Sequence, residues 1–196
     1  MTQEPVCVIL FRESKRTQLE KSDKNVKITT YMKIHIASGI GTGPTKLAAF
    51  DSALNTAGVA NYNLIRLSSI VPPDSNIVVH DKSIPNTPGN WGDRLYVVMA
   101  DARVDTPNAE AWAGIGWVQD KKTGKGLFVE HEGKSKKTVE QDIQQSLQAL
   151  MATRNVDFGE IQMKVVGRIC QHEPVCVLVV AVFQSSDWKN NPFQNE

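Results

Sequence analysis

Two adjacent serines, Ser68 and Ser69, stand between an apolar run and a proline pair, and their position invites chemistry. The run Asn61-Tyr-Asn-Leu-Ile-Arg-Leu67 reads as a strand built on Tyr62, Leu64, Ile65 and Leu67, with Asn63 and Arg66 as polar interruptions. Pro72-Pro73 removes two backbone donors and ends any ladder. Two small polar residues at a strand end ordinarily do no more than shape a turn. In a tight, strained turn they can do more, because the Ser69 hydroxyl can attack the Ser68 carbonyl and convert the amide into an ester. β-Elimination then breaks the chain and leaves dehydroalanine at position 69. Loss of ammonia turns that residue into a pyruvoyl group, an electrophilic ketone made by the protein itself.

A second candidate is a carboxyl group. In Gly126-Leu-Phe-Val-Glu-His-Glu132, strand alternation sets Phe128, Glu130 and Glu132 on one face and Leu127, Val129 and His131 on the other. Apolar Phe128 shares its face with the acids, which suits a pocket edge for Glu130. Burial there would favour the protonated form, the condition a general acid needs. Glu132 and His131 read as surface or supporting residues, and no second histidine lies at metal-ligand spacing to His131.

Around these candidates, Lys46 to Ala57 reads as a helix, opened by Pro44 and Thr45 and stopped by Gly58. Leu47, Phe50 and Leu54 fall on one face, the expected core stripe, with Asp51 beside it, solvated or paired with a local base. The preceding Gly39-Ile-Gly-Thr-Gly-Pro44 lacks the Lys-Ser/Thr of a phosphate loop and is expected to be a turn into the helix.

In these features the chain resembles the pyruvoyl-dependent arginine decarboxylases. The shared residues are Ala49-Phe50-Asp51-Ser52-Ala53-Leu54, Ala57-Gly58, Asn61, Asn63-Leu64-Ile65-Arg66, Ser68-Ser69-Ile70, Pro72-Pro73 and Glu130-x-Glu132-Gly133-Lys134. The resemblance runs from about Lys33 to Phe183; Ala60 departs from it, where the family often has glycine. It implies self-cleavage between Ser68 and Ser69 into a β chain and an α chain, with a covalent pyruvoyl cofactor derived from Ser69 and neither metal nor pyridoxal phosphate. It implies that a substrate amine forms a Schiff base with the pyruvoyl group, with Glu130 as proton donor. Asn63 would steady an oxyanion or hold substrate. Asp51 would grip the guanidinium of L-arginine, with Leu47 also lining the substrate site. The product would be agmatine, released with CO₂. The implied assembly is a homotrimer, or two stacked trimers, with the site near subunit contacts. Two alternatives stand beside this one: a pyruvoyl decarboxylase of another amino acid such as histidine, and an unprocessed, non-enzymatic member of the family.

The remaining elements must position these residues. Leu95 to Arg103 reads as a central strand, and Gly114–Gln119 with Gly126–Glu132 as a hairpin. Ser135 to Met151 reads as a second helix, with Val139, Ile143, Leu147 and Leu150 as its stripe. Val175 to Phe183 is apolar throughout and is expected to be buried on both faces. Thr106 to Trp112 is expected to be a short helix or an irregular crossover, and Trp91 to anchor the long loop 81–93. Two amphipathic helices and roughly seven or eight strands satisfy every apolar face in an α+β, four-layer αββα sandwich, two central sheets covered by helices. The resemblance implies the same fold.

Composition bounds the rest. A chain of 196 residues is one domain, with 1–31 as an N-terminal extension, 32–185 as the decarboxylase domain and 186–196 as a polar tail. In the extension Val6–Phe11 reads as a short strand followed by a charged linker, and Glu4-Pro-Val-Cys-Val-Ile-Leu10 echoes Glu173-Pro-Val-Cys-Val-Leu178. A net charge of +1 gives no electrostatic case for nucleic acid or an anionic membrane. No apolar run is long enough to span a bilayer. Three cysteines without metal-type spacing read as buried thiols in a reducing cytoplasm.

Overall fold

The computed structural model describes residues 32–189. The reading of Val6–Phe11, the charged linker and Cys7 lies outside that range.

Nine strands and two helices follow one another along the described chain. They are β1 (Met32–Thr42), α1 (Lys46–Ala57), β2 (Asn63–Arg66), β3 (Ile70–Val71), β4 (Ser75–Val79), β5 (Arg94–Val104), β6 (Glu110–Gln119), β7 (Gly126–Gly133), α2 (Lys136–Ala152), β8 (Gln162–Ile169) and β9 (Val175–Ser186). One sheet has the order β2-β5-β9-β1-β4 and the other β3-β7-β6-β8. Helix α1 lies on the outer face of the first sheet and α2 on that of the second, which completes the expected four layers. Between the sheets sits the main core, with Ile34, Ile36, Val98, Ile115, Phe128, Val177 and Val179 buried together. Strand β9 runs antiparallel to both β1 and β5 in the middle of its sheet, and Val175 to Phe183 is buried throughout, as its unbroken apolar sequence requires.

Helix α1 begins at Thr45, whose hydroxyl accepts the Ala48 N–H at 3.1 Å, and stops at Gly58 in the left-handed region (φ 80°). Its buried face differs from the expected one. Ala49, Ala53, Leu54 and Ala57 are buried, whereas Leu47 is 69 % exposed and Asp51 is exposed. The reason lies in the glycines before it. Gly39-Ile-Gly-Thr42 continues β1 instead of turning, and Gly39 and Gly41 face the helix. A Cβ on Gly41 would lie 2.3 Å from the Ala49 carbonyl oxygen, and one on Gly39 2.0 Å from that of Ala53. Helix and strand backbones therefore touch through small residues only, and the large ones turn elsewhere.

Other departures are local. Of the helix or crossover expected from Thr106 to Trp112, the crossover is found, as a short turn between Val104 and Glu110 that carries the chain from one sheet into the other, but Glu110 to Trp112 already belong to β6. Trp91 is 84 % exposed, so it anchors nothing among the described residues. Strand β2 stops at Arg66, although Leu67 still donates its N–H to the Val97 carbonyl at 2.9 Å. Strand β9 continues to Ser186, past the expected boundary, and Trp188 beyond it donates its indole N–H to the Gly92 carbonyl at 2.9 Å. Cys170 and Cys176 are buried, free thiols. Burial, with Asp101 adding to it, pushes the Cys176 thiol up to about 12, so it stays protonated and inert.

Candidate active site

The chain changes sheets at the serine pair. Strand β2 pairs in parallel with β5 in one sheet, and four residues later β3 pairs antiparallel with β7 in the other, Ile70 opposite Leu127 and Val71 opposite Gly126. Ser68 and Ser69 make the crossing. Ser69 adopts φ 65°, a left-handed conformation that costs a non-glycine residue about 1–3 kcal/mol. The surrounding bonds hold it there. Its carbonyl accepts the Phe128 N–H at 2.8 Å, and its hydroxyl donates to Oε1 of Glu130. The two groups singled out in the sequence, 61 positions apart, are thus in direct contact.

Because β3 is only two residues long, no other strand of the described residues covers that edge of β7 beyond Phe128. Side chains from both faces of β7 reach the uncovered edge, and two cavities meet there. One, about 440 Å³, is lined by Ser69, Phe128, Glu130, His131, Ala149 and Leu150. The other, about 310 Å³, is bounded by Arg66, Met99, Asp101, Glu130, His131 and Glu132. The first is walled mainly by hydrocarbon and the second by charge.

Arg66, a polar interruption of its strand in the sequence, has a larger part in the structure. Its guanidinium meets Asp101 at 2.6 Å and donates to the Met99 carbonyl at 3.2 Å. Arg103 grips the other Asp101 oxygen at 2.8 Å and stacks over the Phe50 ring, 3.7 Å from its centroid. This network ties α1 to β5 and β2 at the side of the site. Its signal in the sequence was the acid–base pair Asp101 and Arg103 on one strand face, together with Arg66.

The other expected residues are not brought to this place within one chain. Asn63 stands at the opposite end of β2 from the serines and donates its amide to the Gly92 carbonyl at 2.5 Å. Asp51 and Leu47 project from exposed positions of α1, four residues apart and so on one side of the helix. None of the three lines either cavity. Among the described residues no group of three or more His, Cys, Asp or Glu side chains could hold a metal ion, and no helix is long and apolar enough to cross a membrane.

Fold and site together define a two-sheet sandwich with a strained serine, held by a carboxyl group, at the point where the chain passes between sheets. The family model for pyruvoyl-dependent arginine decarboxylase matches residues 33–187. The chain belongs to that family. Its relatives include the pyruvoyl-dependent arginine decarboxylase of Halobacterium salinarum, 42 % identical over 98 residues, which are 50 % of this chain and 59 % of the relative. That match therefore spans less than two thirds of the relative's own length. The enzyme of the same name from Methanocaldococcus jannaschii is 34 % identical over 131 residues, 66 % of this chain and 76 % of that one. The one from Thermococcus kodakarensis is 29 % identical over 157 residues, 79 % and 96 % of the two chains. A solved structure of pyruvoyl-dependent histidine decarboxylase at pH 8 has a TM-score of 0.38 and 12 % identity over 58 % of each chain, too remote to speak to fold or substrate.

Proposed function

We propose that this chain is a self-processing, pyruvoyl-dependent amino-acid decarboxylase that converts L-arginine into agmatine and CO₂. The observation that carries the reading is the contact between Glu130 and the strained Ser69 at the sheet crossing. Glu130 is positioned to take the Ser69 hydroxyl proton as the oxygen attacks the Ser68 carbonyl carbon. The peptide C–N bond gives way to an ester. Elimination then breaks the Ser69 Cβ–O bond and frees the Ser68 carboxylate. Addition of water and loss of ammonia leave the ketone at the new N-terminus. Release of the left-handed backbone at Ser69 favours the forward direction.

The surroundings of position 69 fit that group. A cavity opens directly beside it, and Glu130 already holds a hydrogen bond to its side chain. When present, the pyruvoyl group supplies an electron sink for the loss of CO₂, the role pyridoxal phosphate has elsewhere, and this reading requires neither pyridoxal phosphate nor a metal. Glu130 holds a proton within reach of the atom that must regain one. Phe128, Ala149 and Leu150 keep water away from one side of that position.

Asp51, Leu47 and Asn63 enter through a second copy of the chain. Their exposure suits a homotrimer, or two stacked trimers, in which one subunit offers position 69 and Glu130 and its neighbour offers α1. A carboxylate such as Asp51 grips a guanidinium with two parallel hydrogen bonds, a geometry that an imidazole cannot match, which favours arginine over histidine. The buried thiols Cys170 and Cys176 fit work in the cytoplasm.

Intact mass measurement tests this. The expected result is two chains, one ending at Ser68 and one beginning at position 69 with a pyruvoyl group, joined to substrate by borohydride when arginine is present. Ser69→Ala should give one uncleaved, inactive chain. A full-length wild-type chain after long incubation would instead support the unprocessed, non-enzymatic alternative. Labelled CO₂ from histidine but not from arginine would overturn the substrate.

A further inference from the structure

Decarboxylation of a neutral-pH amino acid has a proton balance that Glu130 alone cannot meet. The carboxylate leaves as CO₂, and its place on carbon is taken by hydrogen, so each turnover consumes one proton. Glu130 gives up its proton once and must then be recharged. Whatever recharges it has to reach the β7 edge, where Glu130 is held.

His131 is the side chain built for this. It lines both cavities that meet at Glu130, the hydrocarbon-walled one and the charged one. Its neighbours on the odd face of β7, Leu127 and Val129, are buried against α2, whereas His131 is only partly buried. The ring is fixed across the gap to α2 by a 2.8 Å hydrogen bond between Nε2 and the Ser146 hydroxyl. Fixing Nε2 aims the ring and leaves Nδ1 without a partner among the described residues. A histidine's two nitrogens can accept a proton on one side while releasing it on the other, which makes it a proton shuttle at neutral pH. The charged groups sharing its cavity are Glu130 and Glu132 of its own strand, and Arg66 and Asp101 of the facing sheet. The cavity that both His131 and Glu130 line, about 310 Å³, is large enough and polar enough to hold water.

We propose that His131, oriented by Ser146, is the relay that returns a proton to Glu130 after each turnover. This rests on the decarboxylase reading above. The proton passes from solvent to the imidazole, and from the imidazole, directly or through one water, to the Glu130 carboxylate. No oxidation or other reactant is involved.

The test uses the cleaved, full-length enzyme with His131→Gln. The proton already on Glu130 serves the first turnover, and only later turnovers wait for the relay. Continuous measurement of released agmatine should therefore show a burst of one per site at the wild-type rate, then a steady state slowed about 10- to 100-fold, with KM little changed. Added imidazole should restore most of the steady-state loss. Ser146→Ala, which replaces the orienting hydroxyl with a good helix former, should show a weaker version of the same burst. A second readout is independent of activity. In the uncleaved Ser69→Ala chain, the titration of a ¹³C-labelled Glu130 carboxyl should change when His131→Gln is added, and should not change with Arg168→Gln, which is remote from the site. A first turnover slowed as much as the steady state, an unchanged steady state, or a Glu130 titration indifferent to His131 would each overturn the relay. An uncleaved wild-type enzyme would overturn the decarboxylase reading, and the relay with it, whereas a cleaved, active enzyme whose Glu130 titration ignores His131 would overturn the relay alone.

Discussion

Ser69 and Glu130 are joined by one hydrogen bond, and in the proposed function one carboxyl group serves two reactions in succession. In the proposed function it would face, before cleavage, a hydroxyl that must lose a proton and, afterwards, the position where a carbon must gain one. Glu130→Gln retains the shape and a hydrogen bond to Ser69 but can neither accept nor give that proton. Turnover in this variant should fall by about 100- to 10,000-fold, and cleavage should slow as well, both measurable on one sample by gel and by CO₂ release. Wild-type turnover would remove Glu130 from the acid role. This pair was legible in the sequence because the chemistry restricts it: a serine after serine, before two prolines, and an acid on a strand face that also carries Phe128. The left-handed backbone at Ser69 was not legible, because nothing in its own side chain demands it. It arises from the demand that β2 and β3 join different sheets across only three residues, Leu67, Ser68 and Ser69.

Helix α1 illustrates where a hydrophobic stripe misleads. Leu47, Phe50 and Leu54 are the large apolar residues at helical spacing, and the structure buries only Leu54 of the three. The true contact face is alanine, packed on glycine, and a stripe of small residues carries almost no hydrophobic signal. The same glycines looked like a turn because their role depends on a helix that has yet to arrive. Gly41→Ala should therefore destabilise the fold by about 1–3 kcal/mol, read as a lower unfolding midpoint, since its methyl would strike the α1 backbone and nothing flexible can yield. Strands β1 and β4 carry a different sensitivity. His35 Nδ1 and His80 Nε2 lie 2.8 Å apart with stacked rings, and Lys33 adds positive charge. Burial, then His80 and Lys33, lowers the His35 pKa below its ordinary 6.5. The native state thus binds fewer protons than the unfolded state below that pH, and stability is complete above about 6.5 and declines as pH falls through the window beneath it. Thermal midpoints between pH 7 and 5 should drop less in His35→Gln than in the wild type.

At the scale of the whole molecule, the proposed site is divided. Ser69 and Glu130 sit at the uncovered edge of β7, whereas Asp51, Leu47 and Asn63 are displayed away from it. The layers could be inferred in outline from where the apolar runs fall; the strand order could not, and neither could which copy supplies which half of a shared site, because one sequence writes both halves. Mixing supplies the test. If neighbouring subunits each contribute half, Asp51→Asn and Glu130→Gln, each inactive alone, should give about a quarter of wild-type activity when co-expressed in equal amounts, so that whole precursors assemble together before any cleavage. No recovery would confine the site to single chains.

The proposed scissile bond also lies where the topology would make the two pieces hard to separate. Everything before it, β1, α1 and β2, is laced among strands that come after it: β1 runs between β4 and β9, and β2 along β5. A molecule that has cut itself there keeps every interstrand bond and loses only the tether. From then on, refolding requires two polypeptides to meet, a search whose rate depends on dilution, whereas the precursor searched within itself. The mature enzyme would be the lasting product of a folding event that happened while the chain was whole, and its persistence would be governed by how slowly it opens rather than by how readily it could form again.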